Sequence, residues 1–131
     1  MAATISIAGR IIGQGSPTFL VAEIGINHNG DLDLARRMID AAAEAGADSV
    51  KFQNYRTEDF IGDRTLTYRY GTAGMVVEET QYAMFKRCEM DAEFVAAVAG
   101  HCFKRGVIFH STPTSAAGVD ELVALGVLAC H

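Results

Sequence analysis

A chain of 131 residues, half of them apolar and 21% charged, is long enough for one globular domain and too apolar for a disordered one. Its formal net charge of −5, with no basic cluster, argues against a nucleic-acid surface. No apolar run approaches the roughly 20 residues that span a bilayer, and the N-terminus resembles no signal peptide. Because the three cysteines also lack CxxC spacing, we expect a reduced, cytoplasmic compartment and no membrane partner.

Strand and helix patterns alternate along the chain, and a glycine follows each predicted helix. In chain order, the predicted elements are a hairpin at 5–15, a strand at 19–24, a helix at 32–45 capped by Asp31, a strand at 48–53, a helix capped by Asp91 that ends at Gly106, a strand at 107–110, a helix at 115–125 with Val119, Leu122 and Val123 facing inward, and a strand beginning at 127–130. Strands separated by helices predict right-handed parallel crossovers.

This order predicts an α/β fold of the (β/α)8 TIM-barrel type, preceded by an N-terminal β-hairpin. The chain has only about the first four strands and three helices, whereas a whole barrel needs about 250 residues. We therefore interpret residues 1–131 as the N-terminal half of a barrel domain. Two alternatives stay open: the chain is part of a longer protein, or its open strand edges are covered by association.

One connection is much longer than the others. Residues 55–89 separate the second strand from the next predicted long helix, and they contain all four tyrosines. Residues 78–88 within this insertion are compatible with a short extra helix. Long insertions of this kind commonly form lids or binding loops, and loops after barrel strands build the active-site face. The alternative interpretation is a plain surface excursion.

Charged and polar side chains interrupt two otherwise apolar strands near their carboxyl ends. Strand alternation places Lys51 and Gln53 on one face of the second strand, and Glu23 lies near the end of the first. We expect these three side chains to converge on a small anionic substrate. The ammonium would bind a phosphate or carboxylate, the carboxylate would handle a proton, and the amide would both donate and accept. The alternative is a buried structural ion pair between Glu23 and Lys51.

The predicted strand at 107–110 is followed directly by Ser111, Thr112 and Pro113. Two hydroxyls and free backbone N–H groups at a strand-to-helix junction suit phosphate binding, so Ser111 and Thr112 are further candidate site residues. The alternative is that Thr112 or Ser115 only caps the following helix.

The histidines give no firm assignment. His28, in a polar turn at 27–30, is either a ligand or proton carrier or neither, His101 is predicted to be structural, and His110 stays open. No pair of histidine and carboxylate residues has metal-ligand spacing. Walker, GxGxxG and GxSxG motifs are also absent.

Three motifs together resemble those of the sialic acid synthase family, of the N-acetylneuraminate synthase and spore coat polysaccharide biosynthesis protein E type. They are AEIGINHNG at 22–30, AGADSVKFQ at 45–53 and STP at 111–113. The first two are highly specific in this order and spacing, and the resemblance covers essentially the whole chain. It implies a TIM barrel followed by an antifreeze-like domain, and condensation of phosphoenolpyruvate with an N-acylated mannosamine-type sugar to a nine-carbon 2-keto acid.

The resemblance also implies roles for individual residues. Glu23 resembles the acidic residue beside the reacting carbons, Lys51 the phosphoenolpyruvate-binding lysine and Gln53 the sugar-binding glutamine. Thr112 resembles a phosphate contact, with Ser111 beside it. A divalent metal, Mn²⁺ or Mg²⁺, and a homodimer are implied for the full-length enzyme.

The chain departs from the family at its end. Cys130 and His131 stand where the family commonly has a tyrosine and a phosphate-binding lysine. The two metal-binding histidines and the antifreeze-like domain are missing from these 131 residues. Two other functions stay open: another phosphate-handling barrel, such as a lyase or aldolase with a Schiff-base lysine, and a non-catalytic half-barrel that associates with itself.

We predict that the 131-residue polypeptide by itself has no synthase activity, because it lacks a complete site. The check is an assay of purified material with phosphoenolpyruvate and N-acetylmannosamine. Turnover above the rate without protein would contradict the prediction.

Overall fold

The structure is a computed structural model that describes residues 3–127. Its elements alternate largely as the sequence predicts, with additional ones in the long insertion. In chain order they are β1 Thr4–Ile7, β2 Arg10–Gly13, β3 Val21–Gly25, α1 Leu32–Glu44, β4 Ser49–Asn54, α2 Thr57–Phe60, β5 Thr67–Thr72, β6 Met75–Thr80, α3 Gln81–Cys88, α4 Ala92–Arg105, β7 Ile108–Pro113 and α5 Ala116–Ala124. The strand predicted to begin at 127–130 lies outside the described residues except for Val127.

The central element is a three-stranded sheet in the order β3-β4-β7, and both pairs of strands are parallel. The parallel arrangement that the sequence predicts is therefore confirmed, with α1 between β3 and β4 in the chain and α4 between β4 and β7. Because all three strands run the same way, their carboxyl ends lie along one edge of the sheet. This is the edge at which open and closed parallel sheets bind ligands.

Helix α1 begins where the sequence predicts. The Asp31 carboxylate accepts hydrogen bonds from the backbone N–H groups of Asp33 and Leu34, at 2.9 and 3.0 Å. Helix α4 is capped in the same way by Asp91 and ends at Gly106, which has left-handed backbone. These caps satisfy donors that the first turn of a helix would otherwise leave unpaired, so both helices have defined entry points next to the ends of β3 and β4.

The hydrophobic core lies between one face of the sheet and the helices. Val50 and Phe52 of β4 are completely buried, as are Ile39 of α1, Val98 of α4 and Leu122 of α5. Helices α1 and α4 also pack against each other. Side chains of a strand alternate between faces. Lys51, between Val50 and Phe52, and Gln53, after Phe52, therefore point away from this core.

The predicted burial of the last helix is wrong for two of its three residues. Val119 and Val123 of α5 were expected to face inward, but they are 41% and 64% exposed, and Leu122 alone of the three is buried. The reason is that Gly118 and Leu122, four positions apart, are the buried residues of α5, which packs against β7, and Val119 and Val123 lie about 100° further round the helix. Val21 of β3 is 46% exposed, because among the described residues the helices cover one face of the sheet.

The cysteines in the described residues behave as small apolar side chains. Cys88 and Cys102 are buried and free. Burial raises the pKa of the Cys102 thiol to about 12, so it stays protonated and unreactive. Cys130 lies outside the described residues.

The β1–β2 hairpin is antiparallel, as predicted, and it is tied to the amino end of β4. The Arg10 guanidinium contacts one oxygen of Asp48 at 2.7 Å. The other oxygen of that carboxylate accepts from the backbone N–H of Leu20 at 2.8 Å. Asp48 therefore fixes the hairpin and the start of β3 at the edge opposite to the carboxyl ends of the strands.

The insertion at 55–89 is an ordered unit. It contains α2, the antiparallel hairpin β5–β6 and α3, which begins at Gln81 inside the predicted 78–88 segment. Tyr55, Phe60 and Phe85 form an aromatic cluster with edge-to-face contacts between 5.0 and 5.7 Å. The Glu89 carboxylate accepts from both the backbone N–H and the hydroxyl of Thr57. These contacts fold the insertion back onto its own two ends.

Within residues 3–127, the structure has no helix that combines the length and apolar character needed to cross a membrane.

The turn between β3 and α1 packs tightly against the insertion at Gly30. A Cβ at this position would lie 2.2 Å from the carbonyl oxygen of Arg87 at the end of α3, whereas a Cβ at Gly46 would meet nothing within 4 Å. Both glycines have positive φ, +76° and +84°. A side chain would therefore strain the backbone at both positions, but only at Gly30 would it also clash with a neighbouring atom.

We predict that Gly30→Ala lowers the free energy of unfolding more than Gly46→Ala does. The positive φ should cost each variant about 1 kcal/mol, and the clash with Arg87 should add about 1–3 kcal/mol at Gly30. Urea denaturation of the two variants and the parent protein measures the difference. Equal losses would mean that the turn does not depend on the contact with α3.

Candidate active site

The register of the parallel sheet aligns the candidate residues in two rows. Glu23 of β3 pairs with Lys51 of β4, which pairs with His110 of β7. Two residues further towards the carboxyl ends, Gln53 pairs with Thr112. Paired residues in a parallel sheet point to the same face, so the structure brings four of the five predicted site residues together with His110. We call the face that carries them the site face.

The Lys51 ammonium and the Glu23 carboxylate are in direct contact, at 2.5 Å between Nζ and Oε2. The lysine side chain is 20% exposed and the glutamate side chain is 50% exposed. The ion pair that the sequence raised as an alternative therefore exists, but it is not buried. An exposed pair adds little stability, and both groups stay accessible to a ligand that approaches the site face.

Gly25 lies close to both Glu23 and Gln53. β3 is irregular between Glu23 and Gly25, so that Gly25, rather than Ile24, pairs with Phe52. The position where a Cβ would stand at Gly25 lies 3.4 Å from Oε1 of Glu23 and 3.8 Å from Nε2 of Gln53. A side chain at Gly25 would therefore contact both the carboxylate and the amide.

Ser111 does not join the cluster. It pairs with Phe52, lies on the core face, is fully buried and donates a hydrogen bond to Oδ1 of Asn54 at 2.6 Å. Its neighbour Thr112 lies on the site face, as strand alternation requires. The capping role raised as an alternative belongs to Ser115, whose hydroxyl accepts from the backbone N–H of Gly118.

His110 is the residue of the site face that sequence reasoning left unassigned. It is 7% exposed, and its Nδ1 lies 2.5 Å from the hydroxyl oxygen of the fully buried Ser49. The predicted strand 107–110 ended at this residue, whereas β7 continues to Pro113. Counting back two positions from Thr112 would have placed His110 on the same face, once the longer strand was known.

His28 supports the turn that follows β3. It is fully buried, and its ring lies 4.9 Å from the ring of Phe94 and 5.9 Å from that of Phe52. Its Nδ1 accepts from the backbone N–H of Gly30 at 3.1 Å, which leaves the proton of the neutral ring on Nε2. Within residues 3–127, Nε2 has no hydrogen-bond partner. Burial lowers the pKa of His28.

The contacts of the third histidine agree with the structural role that the sequence predicts for it. His101 of α4 lies 2.8 Å from the Asp40 carboxylate of α1, which Arg105 of α4 also contacts at 3.0 Å. This cluster joins the two helices on the side of the sheet that carries the core. His101 is therefore remote from the site face.

A small cavity of about 110 Å³ lies near the carboxyl end of β4, between the insertion and the first turns of α4 and α5. It is lined by Asn54, Tyr55, Arg56, Glu89, Met90, Asp91, Ala92, Ser115, Gly118 and Glu121. Arg56 and Glu121 form an ion pair at its mouth, 3.0 Å apart. The five predicted site residues do not line this cavity, because four of them lie on the opposite face of the sheet.

The part of the chain that the structure describes contains no group of three histidine, cysteine, aspartate or glutamate side chains arranged to hold a metal ion. The described residues thus do not fit a divalent metal site. The binding site of the Mn²⁺ or Mg²⁺ expected for the full-length enzyme stays a prediction, and it concerns residues other than these.

Comparison with known proteins gives consistent similarities. A family model described as the NeuB family matches residues 38–130. The chain is 38% identical over 120 residues to the spore coat polysaccharide biosynthesis protein SpsE of Bacillus subtilis, covering 92% of this chain and 31% of that protein. It is 36% identical over 110 residues to the N,N'-diacetyllegionaminic acid synthase of Campylobacter jejuni, covering 84% and 33%.

A solved structure shares the fold. The N-acetylneuraminic acid synthetase of Leptospira borgpetersenii, crystallised in complex with citrate, superposes with a TM-score of 0.81 at 30% identity. The match covers 99% of this chain and 41% of that chain. The chain spans about a third of the length of the curated relatives that it matches.

We predict that His28 makes the protein less stable as the pH falls. Its pKa is lower in the folded state than the ordinary value of 6.5, so below about pH 6.5 the unfolded chain binds a proton that the folded chain refuses. The contribution of His28 to the free energy of unfolding is fully present above that pH. As the pH falls further, this contribution decreases by at most about 1.4 kcal/mol per pH unit.

The measurement is urea denaturation across this pH range, for the parent protein and for His28→Asn. Asparagine can still accept from Gly30 but does not titrate. The difference between the two curves isolates His28 from every other group. Parallel curves would show that His28 does not contribute to the acid sensitivity.

Proposed function

The chain belongs to the NeuB family, and from this premise we propose that it supplies the phosphoenolpyruvate-binding part of a sialic acid synthase-type enzyme. The acceptor is an N-acylmannosamine-type sugar, and the product is a nine-carbon 2-keto sugar acid for surface carbohydrates. The relatives include synthases of this product class. The observation that carries the proposal is the convergence of Glu23, Lys51 and Gln53 on one accessible face.

The proposal includes the architecture of the complete enzyme. The sheet β3-β4-β7 and its helices are the first part of a (β/α)8 barrel, and the site face is turned towards the barrel axis. Two observations support this. The strands are parallel and neighbouring in the order of the chain. Gln53 and Thr112 lie one residue before the carboxyl ends of β4 and β7, where barrels carry their active sites.

In the proposed site, Lys51 binds the negative charge of phosphoenolpyruvate. It is already in contact with Glu23, so an anionic donor would compete with this carboxylate for the ammonium. Thr112 adds a hydroxyl to the same anion site, with Ser111 buried behind it in contact with Asn54. Gln53, beside Glu23, offers both a donor and an acceptor to the hydroxyl and amide groups of the sugar.

The reaction forms one carbon–carbon bond between the two substrates, adds one water oxygen to C2 and breaks the carbon–oxygen bond that joins C2 to phosphate. C3 of phosphoenolpyruvate attacks the aldehyde carbon of the open-chain sugar, and the aldehyde oxygen takes up a proton. Water adds to C2, loses a proton, and phosphate leaves with cleavage of its bond to C2. Glu23 lies where a carboxylate could transfer one of these protons or orient the water. A divalent metal belongs to this proposal, but the described residues do not fit one and no step is assigned to it.

Two observations bear on the other functions. A Schiff-base lysine needs a neutral amine in an apolar pocket, whereas Lys51 contacts a carboxylate on an accessible face, which favours binding of an anion over covalent chemistry. Exposed apolar residues on the outer helices, such as Phe103 at 88% and Val123 at 64%, support the proposed homodimer or a contact with further parts of the enzyme.

We predict that Lys51→Met in the full-length protein lowers kcat/KM for phosphoenolpyruvate by roughly 10- to 100-fold, the usual loss when a charge-assisted hydrogen bond is removed. The matched control is Lys104→Met, which removes an exposed lysine of α4 and should leave kcat/KM unchanged. Steady-state assays of phosphate release measure both. An unchanged Lys51→Met enzyme would contradict the assignment of the donor site.

A further inference from the structure

The two oxygens of the Glu23 carboxylate lie in different surroundings. Oε2 contacts the Lys51 ammonium at 2.5 Å. Oε1 lies 3.4 Å from the position where a Cβ would stand at Gly25, and Nε2 of Gln53 lies 3.8 Å from the same position. One oxygen therefore lies against the group proposed to bind phosphoenolpyruvate. The other lies over the backbone of β3, beside the amide proposed to bind the sugar.

Gly25 offers bare backbone to these two polar atoms. Apart from its chain neighbours, the described residues place no other heavy atom within 4 Å of its missing Cβ. A methyl group at this position would be in van der Waals contact with both Oε1 of Glu23 and Nε2 of Gln53. It would therefore restrict the movement of the carboxylate and of the amide at the same time.

The backbone around Gly25 requires this arrangement. The register of β3 with β4 is irregular between Glu23 and Gly25, and the φ of Gly25 is +56°. Ile24, between them, is buried in the core, and its carbonyl accepts from the backbone N–H and the side-chain amide of Asn27, at 3.0 and 2.9 Å. Irregular pairing of this kind re-aims side chains next to active sites. Here it keeps Glu23 opposite Lys51 while the chain turns away after Ile24.

We infer that Gly25 is a positioning residue for the acceptor sugar. Its missing side chain lets Oε1 of Glu23 and Nε2 of Gln53 adjust together to a hydroxyl or amide group of the sugar, whereas the contact of Oε2 with Lys51 does not depend on it. The inference rests on the proposed function, because it needs an acceptor at Glu23 and Gln53. It goes beyond that function by adding a residue that affects the acceptor and spares the donor.

The test compares Gly25→Ala with Gly46→Ala in the full-length protein. Both glycines have positive φ, but a Cβ at Gly46 would meet nothing within 4 Å. Steady-state phosphate release measures kcat/KM for N-acetylmannosamine, and titration calorimetry measures the Kd of phosphoenolpyruvate. Gly25→Ala should lower kcat/KM for the sugar by roughly 10- to 100-fold, the usual loss when reacting groups are misplaced by about 1 Å. It should leave the Kd of phosphoenolpyruvate unchanged, and Gly46→Ala should leave both values unchanged.

Gly25→Asn separates positioning from backbone strain. Asparagine adopts left-handed backbone more readily than alanine does, and Asn29 of this chain already does so with a φ of +52°. Asparagine also carries the same Cβ as alanine. Gly25→Asn should therefore resist urea better than Gly25→Ala and still lose kcat/KM for the sugar to at least the same extent. Parent-like activity of Gly25→Asn would show that strain caused the loss and would overturn the inference.

The remaining outcomes distinguish the inference from the proposed function. Unchanged sugar kcat/KM in Gly25→Ala, or an equal loss of phosphoenolpyruvate affinity, would overturn the inference and leave the proposed function standing. A parent protein that neither binds phosphoenolpyruvate nor releases phosphate from the two substrates would overturn both.

NMR of the parent protein decides if neither Gly25 variant folds. With phosphoenolpyruvate bound, the reduced sugar N-acetylmannosaminitol is added, which has no aldehyde to react. The backbone amide signal of Gly25 and the side-chain amide signal of Gln53 must then both shift. An unmoved Gly25 signal overturns the inference.

Discussion

The position of β4 between two parallel neighbours is the constraint on which the rest of the structure depends. Its register sets Lys51 against Glu23 on one side and against His110 on the other, and sets Gln53 against Thr112. The pairing is strongly specified, because a slip by one residue would turn Val50 and Phe52 out of the core and the lysine into it. The free energy that buries these two apolar side chains therefore also holds the candidate site together.

The two faces of the same three strands serve different purposes. On the core face, even the polar residues are satisfied by neighbours, as Ser111 is by Asn54. On the site face, Glu23 and Lys51 contact each other but stay accessible, so a ligand can replace either partner at modest cost. Gln53 and Thr112 follow on the same face, one residue before the carboxyl ends of their strands, where parallel sheets typically bind ligands.

The turn after β3 connects this site to the long insertion. His28 packs against the rings of Phe52 and Phe94 and accepts a hydrogen bond from the backbone N–H of Gly30, which lies against the end of α3. The segment that follows Glu23 is thus fixed by the core below it and by the insertion beside it.

Much of the fold and most of the candidate site followed from the sequence alone. Local chemistry predicts the caps of α1 and α4, because an aspartate at the N-cap binds the first free N–H groups wherever the helix lies. Alternation predicts that Lys51 and Gln53 share a face, and the motifs identify the family. The hairpin β5–β6 was missed, since its residues are mostly exposed and have no strong apolar alternation.

Only the tertiary structure decided which residues meet across strands. It separated Ser111 from Thr112, because β7 extends beyond His110 and alternation then turns Ser111 into the core. It exposed Val119 and Val123, because α5 turns Gly118 and Leu122 into the protein instead. It brought His110 beside Lys51 and Ser49, which are about 60 residues away in the chain. Sequence patterns report the local period of each element, whereas register and packing angles arise from contacts between elements that are distant in sequence.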